Sequence, residues 1–377
     1  MKIGFVLDDT LDSTDGIQQY VVCVGEWLRS RGHEVHYLVG ESARGDLVNV
    51  RSMCRNVRVD FNGNRLSMPR PAARRHLRRV LDELQLDVLH VQVPYSPFMG
   101  GRLVSLAHKQ TAVVGTFHIC PFGRVARIGS DILGKINTTT ARRFDAMMAV
   151  SEAASDFAGA SYGFRSLVVV NPFHHDQFSV ARRGAARQRP VKKVVFLGRL
   201  VTRKGPTELL KAVAYMEKHQ LSKVPYQVII AGKGKLLEQL QRFTRDEDLT
   251  EMVSFPGFIA EADKASLLAS ADVAVFPSIS GESFGISLLE AMAAGRGAVL
   301  AGNNPGYASV VASKNQLIEP LDTPAFAQTL ASWLQDDAGR AKLAKRQQAH
   351  VAKYDIDLIG PKIEAIYQQA LQKRRSV

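Results

Sequence analysis

Two doubly wound α/β domains are the fold the sequence predicts, on three observations. Short apolar runs alternate with helical patterns from end to end, the runs form two sets, and a stretch without apolar periodicity separates the sets. The first set is 2–7, 34–39, 88–91, 112–117 and 146–150; the second is 193–197, 227–231, 252–255, 273–276 and 298–300. Strands alternating with helices in this way form parallel sheets covered on both faces. At 377 residues the chain is too long for one ordinary core. The separating stretch, 181–190, is rich in Arg, Ala and Gln and reads as a linker. It divides a first domain, 1–180, from a second, 191–359, with a C-terminal helix in 360–377. Ligands of such sheets lie at the carboxyl ends of the strands.

No stretch is long and apolar enough to span a bilayer, and Asp8 and Asp9 interrupt the first apolar run before it could read as a signal peptide. Cys23, Cys54 and Cys120 are widely spaced and fit neither a zinc pattern nor a disulfide framework, so a reducing cytoplasm is expected. The net charge of +13 calls for a polyanionic partner. Nucleic acid is not expected, because no recognition module or basic–aromatic interleaving is present. An anionic membrane is the other candidate. Within 70–84, Ala73, Leu77, Val80, Leu81 and Leu84 recur on one helical face, while Arg70, Arg74, Arg75, Arg78 and Arg79 fall on the flank and the opposite face. This pattern fits a surface helix with solvated arginines. It equally fits a membrane-surface helix, each cation contributing about 1 kcal/mol near an anionic leaflet.

The most informative segment is 278–295. Glu282 stands in a Gly/Ser-rich turn after an apolar strand, and Glu290 inside the helix that follows. A turn running into a helix start offers free backbone N–H groups to an anion, and carboxylates accept hydrogen bonds from sugar hydroxyls. Either glutamate alone reads as well as a solvated side chain. Upstream, the strand at 194–197 runs into Gly198-Arg199-Leu200-Val201-Thr202-Arg203-Lys204-Gly205, with Pro206 placed to open a helix. An Arg fork and a Lys point charge suit phosphate oxygens. Together the two segments describe a nucleotide-sugar pocket.

Gly-Arg-Leu-x-x-x-Lys-Gly followed by Glu-Ser-Phe-Gly-x-x-x-x-Glu resembles the signature of glycosyltransferase family 4, retaining enzymes of the GT-B fold, and the likeness runs from the Gly16 turn to the C-terminal helix. It implies two doubly wound Rossmann-like domains facing across a cleft, with the last helix crossing back to the first domain. By this resemblance Arg199 and Lys204 bind the donor diphosphate, and Glu282 approaches the transferred sugar. Glu290 takes the ribose hydroxyls, and the backbone at Phe284, Gly285 and Ile286 faces sugar and phosphate. Ile259 and Lys264 read the nucleobase, Gly16 lets the backbone approach a phosphate, and His118 is a catalytic residue binding hydroxyls of the transferred sugar. Within the family the chain is most similar to the phosphatidylinositol alpha-mannosyltransferases, through the basic helix, the Asn62-Gly63-Asn64 turn, Gly16-Ile17-Gln18 and Thr116-Phe117-His118. Gln18 and Asn62 then become acceptor-binding candidates, and the arginines of 70–79 membrane-binding ones. The chain departs from the pattern in the acidic loop 8–16 and in Val170-Asn171-Pro172-Phe173-His174.

The expected reaction is retaining transfer of a hexose, mannose from GDP-mannose, to a membrane lipid such as phosphatidylinositol. The enzyme would sit peripherally on the cytoplasmic face of the cell membrane. The alternative is a UDP-sugar enzyme acting on a polysaccharide or a soluble acceptor. No metal and no cofactor are expected, since cations already meet the diphosphate and Asp246-Glu247-Asp248 does not follow a strand. A binding protein without turnover is disfavoured by intact Arg199, Lys204, Glu282, Glu290 and His118. A phosphorylase is disfavoured because no segment matches a pyridoxal-phosphate lysine site.

Overall fold

The computed structural model describes residues 1–13, 15–61, 64–118, 138–179 and 190–376. The described residues divide into two compact units, Met1–Phe173 with Ile356–Val377, and His174–Asp355. The sequence places the change of domain at 181–190, of which 181–189 lie outside the described residues. The contacts divide earlier, at Phe173/His174, and the C-terminal helix joins the first unit from Ile356 rather than 360.

In the first unit β1 (Lys2–Leu7) pairs in parallel with β2 (Glu34–Val39) on one side and β6 (Val88–Val91) on the other. With β3 (Val50–Ser52), β7 (Ala112–Phe117), β8 (Ala146–Ala149) and β9 (Leu167–Val168), the order is β3-β2-β1-β6-β7-β8-β9. A separate antiparallel pair, β4 (Asn56–Phe61) and β5 (Asn64–Pro69), precedes the helix α2 (Arg74–Leu84). The inner strands β1, β2, β6, β7 and β8 are buried almost throughout because helices cover both faces, while β3 and β9 at the edges are not. On one face the apolar stripe of α1 (Gly16–Ser30) packs with the C-terminal helix Ile356–Arg375; Val24, Leu28, Ile359, Ile363 and Tyr367 share a core with Phe5 and Val35. On the other face Leu77, Val80, Leu81 and Leu84 of α2 pack with Leu89, Leu103 and Val113. Ala73, expected on that apolar face, is exposed: it is the N-cap of α2, and Ala72 is the buried alanine.

The second unit repeats the scheme with β10 (Lys192–Leu197), β11 (Tyr226–Ala231), β12 (Val253–Gly257), β13 (Val273–Phe276), β14 (Ala298–Gly302) and β15 (Leu317–Ile318). They run parallel in the order β12-β11-β10-β13-β14-β15. Pro206 opens the helix Pro206–Lys218, as its fixed φ favours. Leu209, Val213, Phe326 and Leu330 close the core over Val194, Val228 and Val275.

The C-terminal helix is fastened to α1 by shape and by polar contacts. Trp27 Nε1 donates to Asp357 Oδ1 at 2.8 Å, and His33 meets Glu364 at 3.1 Å. A Cβ on Gly360 would stand 2.6 Å from ring atoms of Trp27, too close for any contact. Gly360→Ala gains about 1 kcal/mol of helix propensity but overpacks a rigid indole, which costs about 1–3 kcal/mol and wins. A lowered urea midpoint for the first unit is expected; an unchanged or raised midpoint would show that Trp27 yields freely.

Candidate active site

In the second unit the strand order reverses between β10 and β13, so the turn after β10 and the loop after β13 lie side by side. Ile279 N donates to Arg203 O at 2.8 Å. Gly205 has φ of 71°, and a Cβ there would fall 2.0 Å from the Pro277 carbonyl oxygen, so only glycine lets the two segments close up. That closure delivers three donors to one atom. Arg203 Nη1 at 2.6 Å, Lys204 Nζ at 2.8 Å and Ser278 Oγ at 2.7 Å all meet Oε1 of Glu282.

The Glu282 side chain is 10% exposed. Burial opposes its ionisation, but Lys204 and Arg203 outweigh that and hold the carboxylate below its usual range. Burial and the neighbouring Arg203 and Arg199 pull Lys204 down in spite of Glu282. Beside burial, cations are in surplus here: Arg203 and Lys204 both meet the single carboxylate of Glu282, and Arg199 is near enough to Lys204 to repel it. Such a cluster is short of negative charge and suits an anion. Beside it the helix Ile286–Ala294 starts from Gly285 with no side-chain cap and no acid in its first turn, so its orphan amides point the same chemistry at a ligand.

Glu290, on that helix, is buried rather than on the helix surface. Lys264 Nζ lies 3.0 Å from Glu290 Oε1 and 2.7 Å from Glu261 Oε1. Burial pushes Glu290 up, incompletely offset by Lys264, while the two carboxylates together keep Lys264 charged against its burial. Here acid is in excess, which suits hydroxyl donors. Phe284 is buried with its ring 5.7 Å from that of Tyr354, so its side chain belongs to the packing. Ile259 is half-buried just beyond β12.

In the first unit Gly16 opens α1 with no side-chain cap hydrogen bond from Asp15. Gln18 is buried; its Nε2 donates to Thr10 O at 3.0 Å, and its Oε1 has no partner among the described residues. His118 follows β7 and Gln92 follows the adjacent β6, which brings His118 Nε2 within 2.9 Å of Gln92 Oε1. An amide oxygen only accepts, so Nε2 carries the proton and the neutral ring keeps Nδ1 as an acceptor. Tyr20 stands edge-on to the ring at 4.9 Å. Burial depresses His118 to about 3.

The structure thus gathers Lys204 with Glu282, and Lys264 with Glu290, in the second unit, and sets Gly16, Gln18 and His118 at strand ends of the first. Asn62 lies outside the described residues. Arg70, Arg74, Arg75, Arg78 and Arg79 are exposed. The sequence reading passed over Arg203, Ser278, Gln92 and Glu261. Arg203 stands next to Lys204 in the motif, but chain position alone does not say which cation meets the carboxylate. Among the described residues no group of three or more His, Cys, Asp or Glu is placed to hold a metal ion.

Residues 14–177 match the family model described as Glycosyltransferase Family 4, and residues 180–350 the one described as Glycosyl transferases group 1. The phosphatidyl-myo-inositol mannosyltransferase of Mycolicibacterium smegmatis is 30% identical, over 98% of this chain and 94% of that protein. The chain belongs to glycosyltransferase family 4. A protein of the same name from Propionibacterium freudenreichii is 27% identical over 99% of this chain and 96% of its own. Among solved structures, this family 4 transferase resembles Anabaena HepE in complex with UDP, with a TM-score of 0.75 at 19% identity, covering 97% of this chain and 99% of that one. A Rickettsia africae glycosyltransferase gives a TM-score of 0.78 at 15% identity, covering 98% of each chain. These likenesses fix the transferase fold as GT-B.

His90 and His118 of the transferase are both depressed by burial to about 3, from an ordinary 6.5. Between those values the unfolded chain binds protons that the folded chain refuses. Their contribution to stability is therefore intact above about pH 6.5 and is lost as pH falls toward about 3, at about 1.4 kcal/mol per pH unit for each ring. Urea denaturation from about pH 7 to about pH 5 should show this decline, shallower in His118→Asn. An equal slope in the variant would mean that His118 is protonated in the folded enzyme.

Proposed function

We propose that this glycosyltransferase moves mannose from GDP-mannose to a membrane lipid of the phosphatidylinositol class, working at the inner face of the cell membrane without a metal ion. Arg199, Lys204 and the amides at Gly285 and Ile286 take the donor diphosphate and meet the charge that develops as it leaves. Glu290 takes the ribose hydroxyls, Ile259 and Lys264 the base, and Glu282 the sugar. Gly16 serves the phosphate, and His118, through its Nδ1 acceptor, a sugar hydroxyl. Gln18 and Asn62 serve the acceptor. The departing diphosphate oxygen accepts the proton of the acceptor hydroxyl as the new glycosidic bond forms on the same face of C1.

One observation favours a lipid over a soluble acceptor. The apolar stripe of α2 is fully used against the sheet, yet its other faces present Arg74, Arg75, Arg78 and Arg79 to solvent, and among the described residues no carboxylate pairs with any of the four. Unpaired arginines at helical spacing repel one another, and an anionic surface relieves that repulsion. The names of the relatives in Mycolicibacterium and Propionibacterium point the same way. Among the described residues no helix is long and apolar enough to cross a membrane, so attachment through charge at the surface is the mode that fits.

Two measurements test the two halves of this proposal. Calorimetry with GDP, UDP and ADP should give one preferred nucleotide, GDP, and Arg199→Ala should weaken it roughly tenfold to a hundredfold, as loss of a charge-assisted bond does. Preference for UDP would move the enzyme to the UDP-sugar alternative. In co-sedimentation, vesicles containing phosphatidylinositol should carry the wild type down. The quadruple variant Arg74, Arg75, Arg78 and Arg79→Ser should stay in solution; equal sedimentation would remove α2 from the membrane role.

A further inference from the structure

Arg203 has no assigned part in the diphosphate site, yet its guanidinium makes the shortest of the three contacts to Glu282, at 2.6 Å. All three donors converge on Oε1, and none of them uses Oε2. A lysine ammonium is a compact charge on a flexible stem and can turn from a carboxylate to an arriving phosphate. If Lys204 turns in that way, Glu282 keeps only the Ser278 hydroxyl and Arg203. The side chain is 10% exposed, and a carboxylate so placed is costly to leave without a cation. Arg203 is the better group to stay, because its planar guanidinium is pre-organised and loses less on being held than the flexible lysine stem, and it makes the shorter contact to Oε1.

We infer that Arg203 is a positioning residue, which holds the Glu282 carboxylate in place when the donor diphosphate draws Lys204 away. The role rests on the proposed donor site in the second unit. Arg203 occupies Oε1 throughout, so Glu282 stays charged and oriented with Oε2 available to the sugar. The surplus of cations is thereby divided: one stays with the acid, and the others serve the diphosphate. No bond is made or broken; only the partner of Lys204 changes.

The test is a double-mutant cycle read by calorimetry with GDP, and with UDP in parallel. Arg203→Met should bind the nucleotide roughly tenfold more weakly. Titration in buffers of different ionisation enthalpy should show net proton uptake absent from the wild type, because Glu282 can now surrender Lys204 only by taking a proton. Arg203→Lys should restore most of the affinity. In a Glu282→Gln background, which has no charge to strand, Arg203→Met should change affinity by less than about twofold. Thermal unfolding midpoints of the wild type and of every variant confirm that they are folded.

Wild-type affinity in Arg203→Met, without proton uptake, would overturn the proposal. So would a loss that persists in full in the Glu282→Gln background, since Arg203 would then be touching the diphosphate itself. If Lys204→Met binds nucleotide as the wild type does, the donor site is misassigned and this role falls with it. If Lys204→Met loses affinity while Arg203→Met does not, only the role of Arg203 falls.

Discussion

The carboxylate of Glu282, taken up by Arg203, Lys204 and Ser278 at a single oxygen, is the constraint around which the second unit's site is arranged. It exists because β10 and β13 are neighbours in the sheet although far apart in the chain. The fold creates the gap between their following segments, and Gly205 lets the gap close, since any side chain there would strike the Pro277 carbonyl. Without that approach the basic turn and the acidic loop would be two solvated surfaces, with exposed pairs worth little. Brought together and largely shielded from water, they become a cluster with a defined charge imbalance.

That imbalance has opposite signs at the two ends of one loop–helix segment. Around Glu282 there are more cations than acids; around Glu290, Lys264 faces two carboxylates, Glu290 and Glu261. A molecule with a diphosphate at one place and free hydroxyls at another matches both surpluses. Each cluster is self-satisfied enough to persist without ligand, because leaving a buried charge wholly unpaired would cost several kcal/mol. In the proposed function the clusters are pre-formed sites, whose internal ion pairs would be exchanged for ligand contacts rather than assembled from disorder.

Much of this was legible in the sequence where a signal is local. The long central strands announce themselves as continuous apolar runs, and the order of basic turn and acidic loop marks the two strands that flank the switch point. β3, β9 and β15 were missed because two or three residues carry no period, and strands at or next to a sheet edge need less apolar character. Ala73 was misplaced because the 3.6-residue period does not register where the helix begins. Arg203 and Gln92 escaped for another reason: their partners sit in the segments that follow adjacent strands, and only the sheet order says that Gln92 and His118 stand side by side. Spacing along the chain predicts what a residue can do, while strand adjacency decides with whom.

The first unit shows the same dependence on distant chain in its packing. Its core takes Ile356, Ile359, Ile363, Tyr367 and Leu371 from a helix that the chain reaches only after the whole second unit. Tyr367 OH also stands 2.6 Å from His90 Nδ1, while His90 Nε2 stands 2.6 Å from Thr116 Oγ1. With both ring nitrogens engaged, His90 stays neutral in full burial, on the strand paired with the one that His118 follows. The last helix thus completes an apolar face and also supplies a polar partner that a buried imidazole needs, one strand away from a candidate catalytic residue. A chain ending before Ile356 would lose both at once, leaving apolar residues of α1 uncovered and His90 without its tyrosine. The final helix therefore bears on the surroundings of His118 indirectly, through His90 on the neighbouring strand.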